Sequence, residues 1–99
     1  MKYYVIEGKF KTFEYSLHDE AQAELRASFE EFIKERMDAG NILIFGEKAH
    51  GLIGLGKAEN LDEMLSEFER DPLTLEDVIE YRIVEIEDAV ISDAADRFF

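Results

Sequence analysis

Apolar residues change their spacing several times along this chain, and each change marks an element. Tyr3, Tyr4, Val5 and Ile6, between Lys2 and Glu7, predict a first strand, with a bend at Gly8. Lys9 to Tyr15 alternates polar and aromatic residues, which predicts that the strand continues with one solvated face. Ser16 and Asp19 then carry the signals of a helix start, a hydroxyl cap and an acid at the positive end of the dipole. Ala21, Leu25, Phe29, Phe32 and Ile33 fall on one helical face, and Gly40 supplies a left-handed C-cap. From Asn41 to Gly46 the apolar run is nearly continuous, as in a strand buried on both faces. After a turn from Glu47 to Gly51, Leu52 to Ala58 reads as the next strand, with Gly54 and Gly56 where a neighbour approaches closely.

Asn60 with Glu63 opens a second helix, whose buried stripe is Leu61, Met64, Leu65 and Phe68 and which ends at Asp71-Pro72. A turn from Leu73 to Asp77 leads to a last strand in which Ile79, Tyr81 and Ile83 alternate with Glu80 and Arg82. The phase then slips to Val84 and Ile86, which requires either a bulge or two faces that meet different partners. The tail from Asp88 carries Val90, Ile91, Ala94, Ala95, Phe98 and Phe99 at weakly helical spacing, and its apolar content predicts docking on the body or on a partner.

The order strand, helix, strand, strand, helix, strand is that of an α+β ferredoxin-like βαββαβ domain with an antiparallel sheet. Both helices should cover one sheet face. The other face of a lone domain would be polar at every second residue. Ile42 to Phe45 and Leu52-Ile53 are apolar at consecutive positions instead. The pattern therefore predicts a homodimer joined isologously through the sheet faces, with higher oligomers open to the tail.

Composition narrows the classes. A chain of 99 residues holds one domain with a thin core, for which oligomerisation is a common remedy. With 24 acids against 11 bases the net charge is −13, which argues against a nucleic-acid partner. No apolar run approaches a membrane span, the start at Met1-Lys2-Tyr3 shows no signal peptide, and there is no cysteine; the expectation is a cytoplasmic protein without disulfides or thiolate metal sites.

The start MKYYVIEG, the stretch DAGNILIFGEKAHGLIGLGKAENLDEML and the run ERDPLTLEDVIEYRIVEIED together resemble the YciI-like proteins, of the dimeric α+β barrel group with muconolactone isomerase-like domains. The resemblance covers residues 1–88 and leaves 89–99 as a C-terminal tail. Its most specific pieces are Asp71-Pro72 followed by the YRIVEIE strand, and the Gly46 turn preceded by apolar residues. It implies a dimer, a pocket between helix and sheet, and an acid/base dyad of a helix histidine with the aspartate of the Asp-Pro pair. That aspartate is Asp71 here, whereas the histidine position is occupied by Phe29, flanked by Ser28, Glu30 and Glu31.

Asp71 is accordingly the candidate catalytic base, with turn-shaping and backbone capping as its structural alternative. Arg82 and Arg26 are candidates to clamp an anionic ligand, Tyr81 to line a pocket, and Phe29 to make it drier; each has a plain alternative in a surface ion pair or the core. His50, in the turn between the second and third strands, is placed to reach a pocket mouth. His18, at the positive end of the first helix, reads as surface. No histidine spacing supports a metal, no cofactor is indicated, and Gly54 and Gly56 do not form a phosphate loop. Three readings stay open: a binder of a small acidic or cyclic molecule, a lyase or isomerase acting on a small ring or enol acid through Asp71, and an assembly protein.

Overall fold

The computed structural model describes residues 1–95. Four strands form one antiparallel sheet in the order β2-β3-β1-β4. They are β1 (Lys2–Phe10), β2 (Ile42–Lys48), β3 (Gly51–Ala58) and β4 (Ile79–Ile86), with α1 (Ala23–Asp38), α2 (Leu61–Glu69) and α3 (Pro72–Leu75) between them. This is the α+β ferredoxin-like arrangement that the sequence predicts, with β1 and β3 inside and β2 and β4 at the edges.

One sheet face carries the core. Tyr4, Ile6 and Phe10 of β1, Leu52 of β3, Ile42 of β2 and Ile79 of β4 are buried against Phe29, Phe32 and Ile33 of α1, Met64 and Phe68 of α2, and Leu73 of α3. The two larger helices are tied together by Arg36, whose guanidinium lies 5.1 Å from the centre of the Phe32 ring and donates to Glu67 of α2. Gly40 closes the α1 end at φ +82, a left-handed position that favours glycine. Gly54 is required by close approach, since a Cβ there would stand 2.3 Å from the Phe45 ring. At Gly56 a Cβ would meet the Asn41 carbonyl oxygen at 2.6 Å.

Several expectations are corrected. Chain β1 stops at Phe10, and residues 11–15 bend and turn instead of extending the strand. Their aromatics fold back: Tyr15 packs on Phe10 at 4.8 Å and donates to Gln22. The first helix is entered through a 3-10 turn, Glu20–Gln22, capped by Asp19; Ser16 accepts from the His18 backbone one step earlier, and Ala21 is exposed. Strand β2 is an edge and, in the single chain, is not buried on both faces: Ile44 is 57% exposed. The bulge lies in β2, where the pairing skips Leu43, and not in β4, whose register against β1 is unbroken. The phase change in β4 therefore reflects two faces, with Ile79, Tyr81 and Ile83 toward the helices and Val84 and Ile86 away from them. The turn after Pro72 is wound into α3. Residues 89–92 have no regular structure, and Phe98 and Phe99 lie outside the described residues.

Candidate functional site

The helix-covered side of the sheet leaves a cleft of about 330 Å³ between α1 and the β2 edge. Helical spacing places Phe29, Ile33 and Met37 along its α1 wall, with Arg26, Glu30 and Lys34 beside them. The opposite wall comes from β2, where strand alternation turns Phe45 and Glu47 to the helix side, and from Leu52 of β3. Phe29 and Phe45 meet at 5.8 Å between ring centres and make an aromatic floor.

The segment before the 3-10 turn closes one end. Leu17 is buried and its carbonyl accepts from Arg26 Nη1 at 2.9 Å, which pins the segment to α1. The next residue, His18, reaches the other wall: its Nε2 lies 2.7 Å and 2.9 Å from the two carboxylate oxygens of Glu47. Segment, helix and edge strand are thereby joined around an apolar hollow with charged groups at its rim.

A second cluster surrounds Asp71, whose side chain is fully buried. The carboxylate caps α3, accepting from the Leu73 amide at 3.2 Å and from Thr74 Oγ1 at 3.5 Å. Burial pushes this carboxyl above the usual carboxylate range, and the donors Leu73 and Thr74 with the neighbouring Tyr81 hydroxyl hold it back only in part. Tyr81 lies beside it, and desolvation together with the neighbouring carboxyl pushes its phenol well above the ordinary tyrosine value. The Tyr81 oxygen is buried without a hydrogen bond of good geometry, so Asp71 acts on it chiefly as a nearby charge. Thr74 and Tyr81 also line a shallow hollow of about 320 Å³ that includes Lys11, Phe68 and Asp77.

The candidates named from sequence thus separate. Arg26 and Phe29 share the α1–β2 cleft, and Asp71 and Tyr81 share the α3 cluster. A row of rings, Phe29, Phe45, Phe68 and Tyr81, spaced 5.8, 6.3 and 4.8 Å apart, fills the interior between them. Arg82 is on the opposite sheet face, across from Glu7. His50 sits at φ +59 in the β2–β3 turn with its ring 4.3 Å from that of Phe13. Sequence reasoning passed over Glu47 and set His18 aside as surface. The available signal was the alternation of Phe45, Gly46 and Glu47, which puts that acid on the helix side. Among the described residues, no group of three or more His, Asp or Glu is placed to hold a metal ion. No helix among them is long and apolar enough to cross a membrane.

No protein-family model matches the sequence, and no curated protein matches it. The fold is similar to that of 5-chloro-2-hydroxyhydroquinone dehydrochlorinase (TftG) from Burkholderia phenoliruptrix AC1100, solved in complex with 2,5-dihydroxybenzoquinone. The TM-score is 0.70 at 17% sequence identity, over 88% of this chain and 95% of that one. At this identity the likeness concerns the fold.

Proposed function

We propose that this chain is a YciI-like domain over residues 1–88, followed by a tail, that binds a small flat anionic ring in the cleft between α1 and β2. The observation that carries this reading is the pairing of an apolar floor, Phe29, Phe45 and Ile33, with the cations Arg26 and Lys34 at the rim. Such a hollow suits a ring with one acidic substituent: the ring displaces water from the floor and the acid meets the cations. Glu30 and Glu47 border the same cleft, so Arg26 and Lys34 make it locally neutral in a chain whose net charge of −13 otherwise repels anions. That a similar fold holds 2,5-dihydroxybenzoquinone supports a ligand of this size and shape.

The test is a thermal-shift and ¹H–¹⁵N NMR titration with 2,5-dihydroxybenzoate and 2,5-dihydroxybenzoquinone. Binding should move the amides of Phe29, Phe45 and Glu47, and Lys34→Gln should weaken both ligands, since each is an anion at neutral pH. Saturating ligand with no shifts at the cleft would overturn the reading. At a concentration about a hundred times Kd the expected stabilisation is roughly 2.7 kcal/mol.

The buried Asp71 favours a second reading, a lyase or isomerase acting on a small ring or enol acid bound in the hollow lined by Thr74 and Tyr81. A carboxyl raised by burial is suited to accept a proton at neutral pH. Asp71→Asn would then abolish turnover and spare binding.

A further inference from the structure

We infer that His18 and Glu47 form an acid/base pair at the mouth of the α1–β2 cleft, which moves a proton on the carbon next to a ring carbonyl of a bound anionic cyclic ketone. The inference rests on ligand binding in that cleft and adds chemistry to it. Both Glu47 oxygens lie within hydrogen-bond distance of one imidazole nitrogen, Nε2, at 2.7 and 2.9 Å. A carboxylate accepts only, so Nε2 carries the hydrogen. In the neutral ring the lone pair is then on Nδ1, which has no hydrogen-bond partner among the described residues. An oriented imidazole with its other nitrogen free is the arrangement of a general base held by a carboxylate.

The setting separates this contact from an ordinary surface ion pair. His18 and Glu47 come from different elements, are held by Leu17 and Arg26 on one side and by the β2–β3 ladder on the other, and both line the apolar cleft. Lys11 and Asp77 also pair beside a hollow, the shallow one lined by Thr74 and Tyr81, but not beside the α1–β2 cleft; Lys2 with Glu85 at 3.7 Å borders none of the hollows described above. At 64% and 57% side-chain exposure the pair adds little stability.

The step conserves atoms and electrons. His18 Nδ1 takes the proton from the carbon α to the carbonyl. The electron pair of the broken C–H bond becomes the C=C bond of an enolate, and the carbonyl π pair moves to oxygen. The guanidinium hydrogens of Arg26 not used on Leu17 stabilise that oxygen, while Lys34 pairs with the ring's carboxylate. The imidazolium returns its proton to oxygen, giving the enol, or exchanges it with solvent and returns a solvent-derived one to carbon, giving isotope exchange. No oxidant or other reactant takes part. Glu47 is a positioning residue, since it fixes the tautomer without touching the ligand.

The experiment uses the whole chain and 3-oxocyclohexane-1-carboxylate in D2O, following loss of the ring protons α to the carbonyl by ¹H NMR, with binding followed separately by amide shifts. Exchange should exceed that in buffer by at least about 100-fold. His18→Gln should return it to background with unchanged binding. Glu47→Gln should reduce it by roughly 10-fold at unchanged Kd, Glu47→Asp should recover part, and the ¹⁵N ring shifts of His18 should move toward the tautomer mixture of a free imidazole in Glu47→Gln. His50→Gln should change nothing. Binding without faster exchange, or exchange that survives His18→Gln, would overturn the pair while leaving cleft binding in place. Absence of binding by this ketone would overturn the pair, and the flat-ring reading would stand or fall on its own titration.

Discussion

Asp71 is the fully buried charged residue of the described chain, and its environment sets a testable pH dependence. Burial raises its carboxyl above the unfolded value near ~3.9. The folded state therefore holds this proton more tightly than the unfolded state does. The resulting stabilisation is complete below the unfolded value and is lost as pH rises through the raised folded value. Urea midpoints of the wild type relative to Asp71→Asn should thus fall as pH increases through that window. Parallel curves would show that the carboxyl ionises as freely in the fold as outside it. Tyr4 offers a complementary case, because its side chain is fully buried and its hydroxyl has no partner. Tyr4→Phe removes an unsatisfied polar atom and should leave stability unchanged or raise it by up to about 1 kcal/mol, as read by chemical denaturation. The sequence marked Asp71 through the resemblance to YciI-like proteins, with turn-shaping before Pro72 as its structural alternative. It could not show the depth of burial, to which Tyr81 on β4 contributes.

At the scale of elements, short-range chemistry was legible and long-range pairing was not. Asn60 was readable as a cap, and its Oδ1 accepts from the Glu63 amide at 2.9 Å. Asn60→Ala should cost about 1 kcal/mol, measured as a thermal or urea midpoint shift, and an unchanged midpoint would mean the α2 start needs no side-chain acceptor. The Gly54 spacing was also legible, as a place for close approach, and the approaching group is the Phe45 ring of the cleft floor. Gly54→Ala should therefore cost about 1–3 kcal/mol and displace Phe45, visible in its ring-proton shifts and in weaker ligand binding. Residues 11–15 misled because Phe13 and Tyr15 alternate with polar neighbours as a strand does, although Tyr15 folds back on Phe10 and Phe13 meets His50 in the distant β2–β3 turn. His18 misled for a related reason. Helix-dipole reasoning places it at the surface, and that much holds, but its contact with Glu47 spans 29 positions and depends on the β2 edge standing opposite α1. No local pattern encodes that distance.

For the whole molecule, the sheet face away from the helices remains to be accounted for. The strand registers align Ile44, Leu55, Val5 and Val84 into an apolar row across all four strands. Tyr3 and Ile86 flank it on one side and Ile53 on the other. Ile44, Ile53, Val84 and Ile86 are 57, 40, 44 and 38% exposed in the single chain. Residues 89–92 stand over the same face and with it border a hollow of about 530 Å³, yet Val90 is 97% exposed. A second copy laid face to face would cover the row, as the consecutive apolar positions of β2 and β3 led us to expect, and would give Val90 a surface to meet. An isologous contact repeats every substitution twice, so Val84→Glu should place two carboxylates in one buried apolar patch. The expected result is a mass by analytical ultracentrifugation of two chains for the wild type and one for Val84→Glu, with the circular dichroism of the fold retained. Deleting the residues after Glu87 then separates the tail from the sheet. If the wild type forms only dimers and the truncated chain remains one, the tail has no role in assembly. Mass beyond two chains that vanishes on truncation would make the tail the site of higher assembly. A wild type that sediments as a single chain at high concentration would remove the sheet-face dimer altogether and leave the apolar row to a different partner.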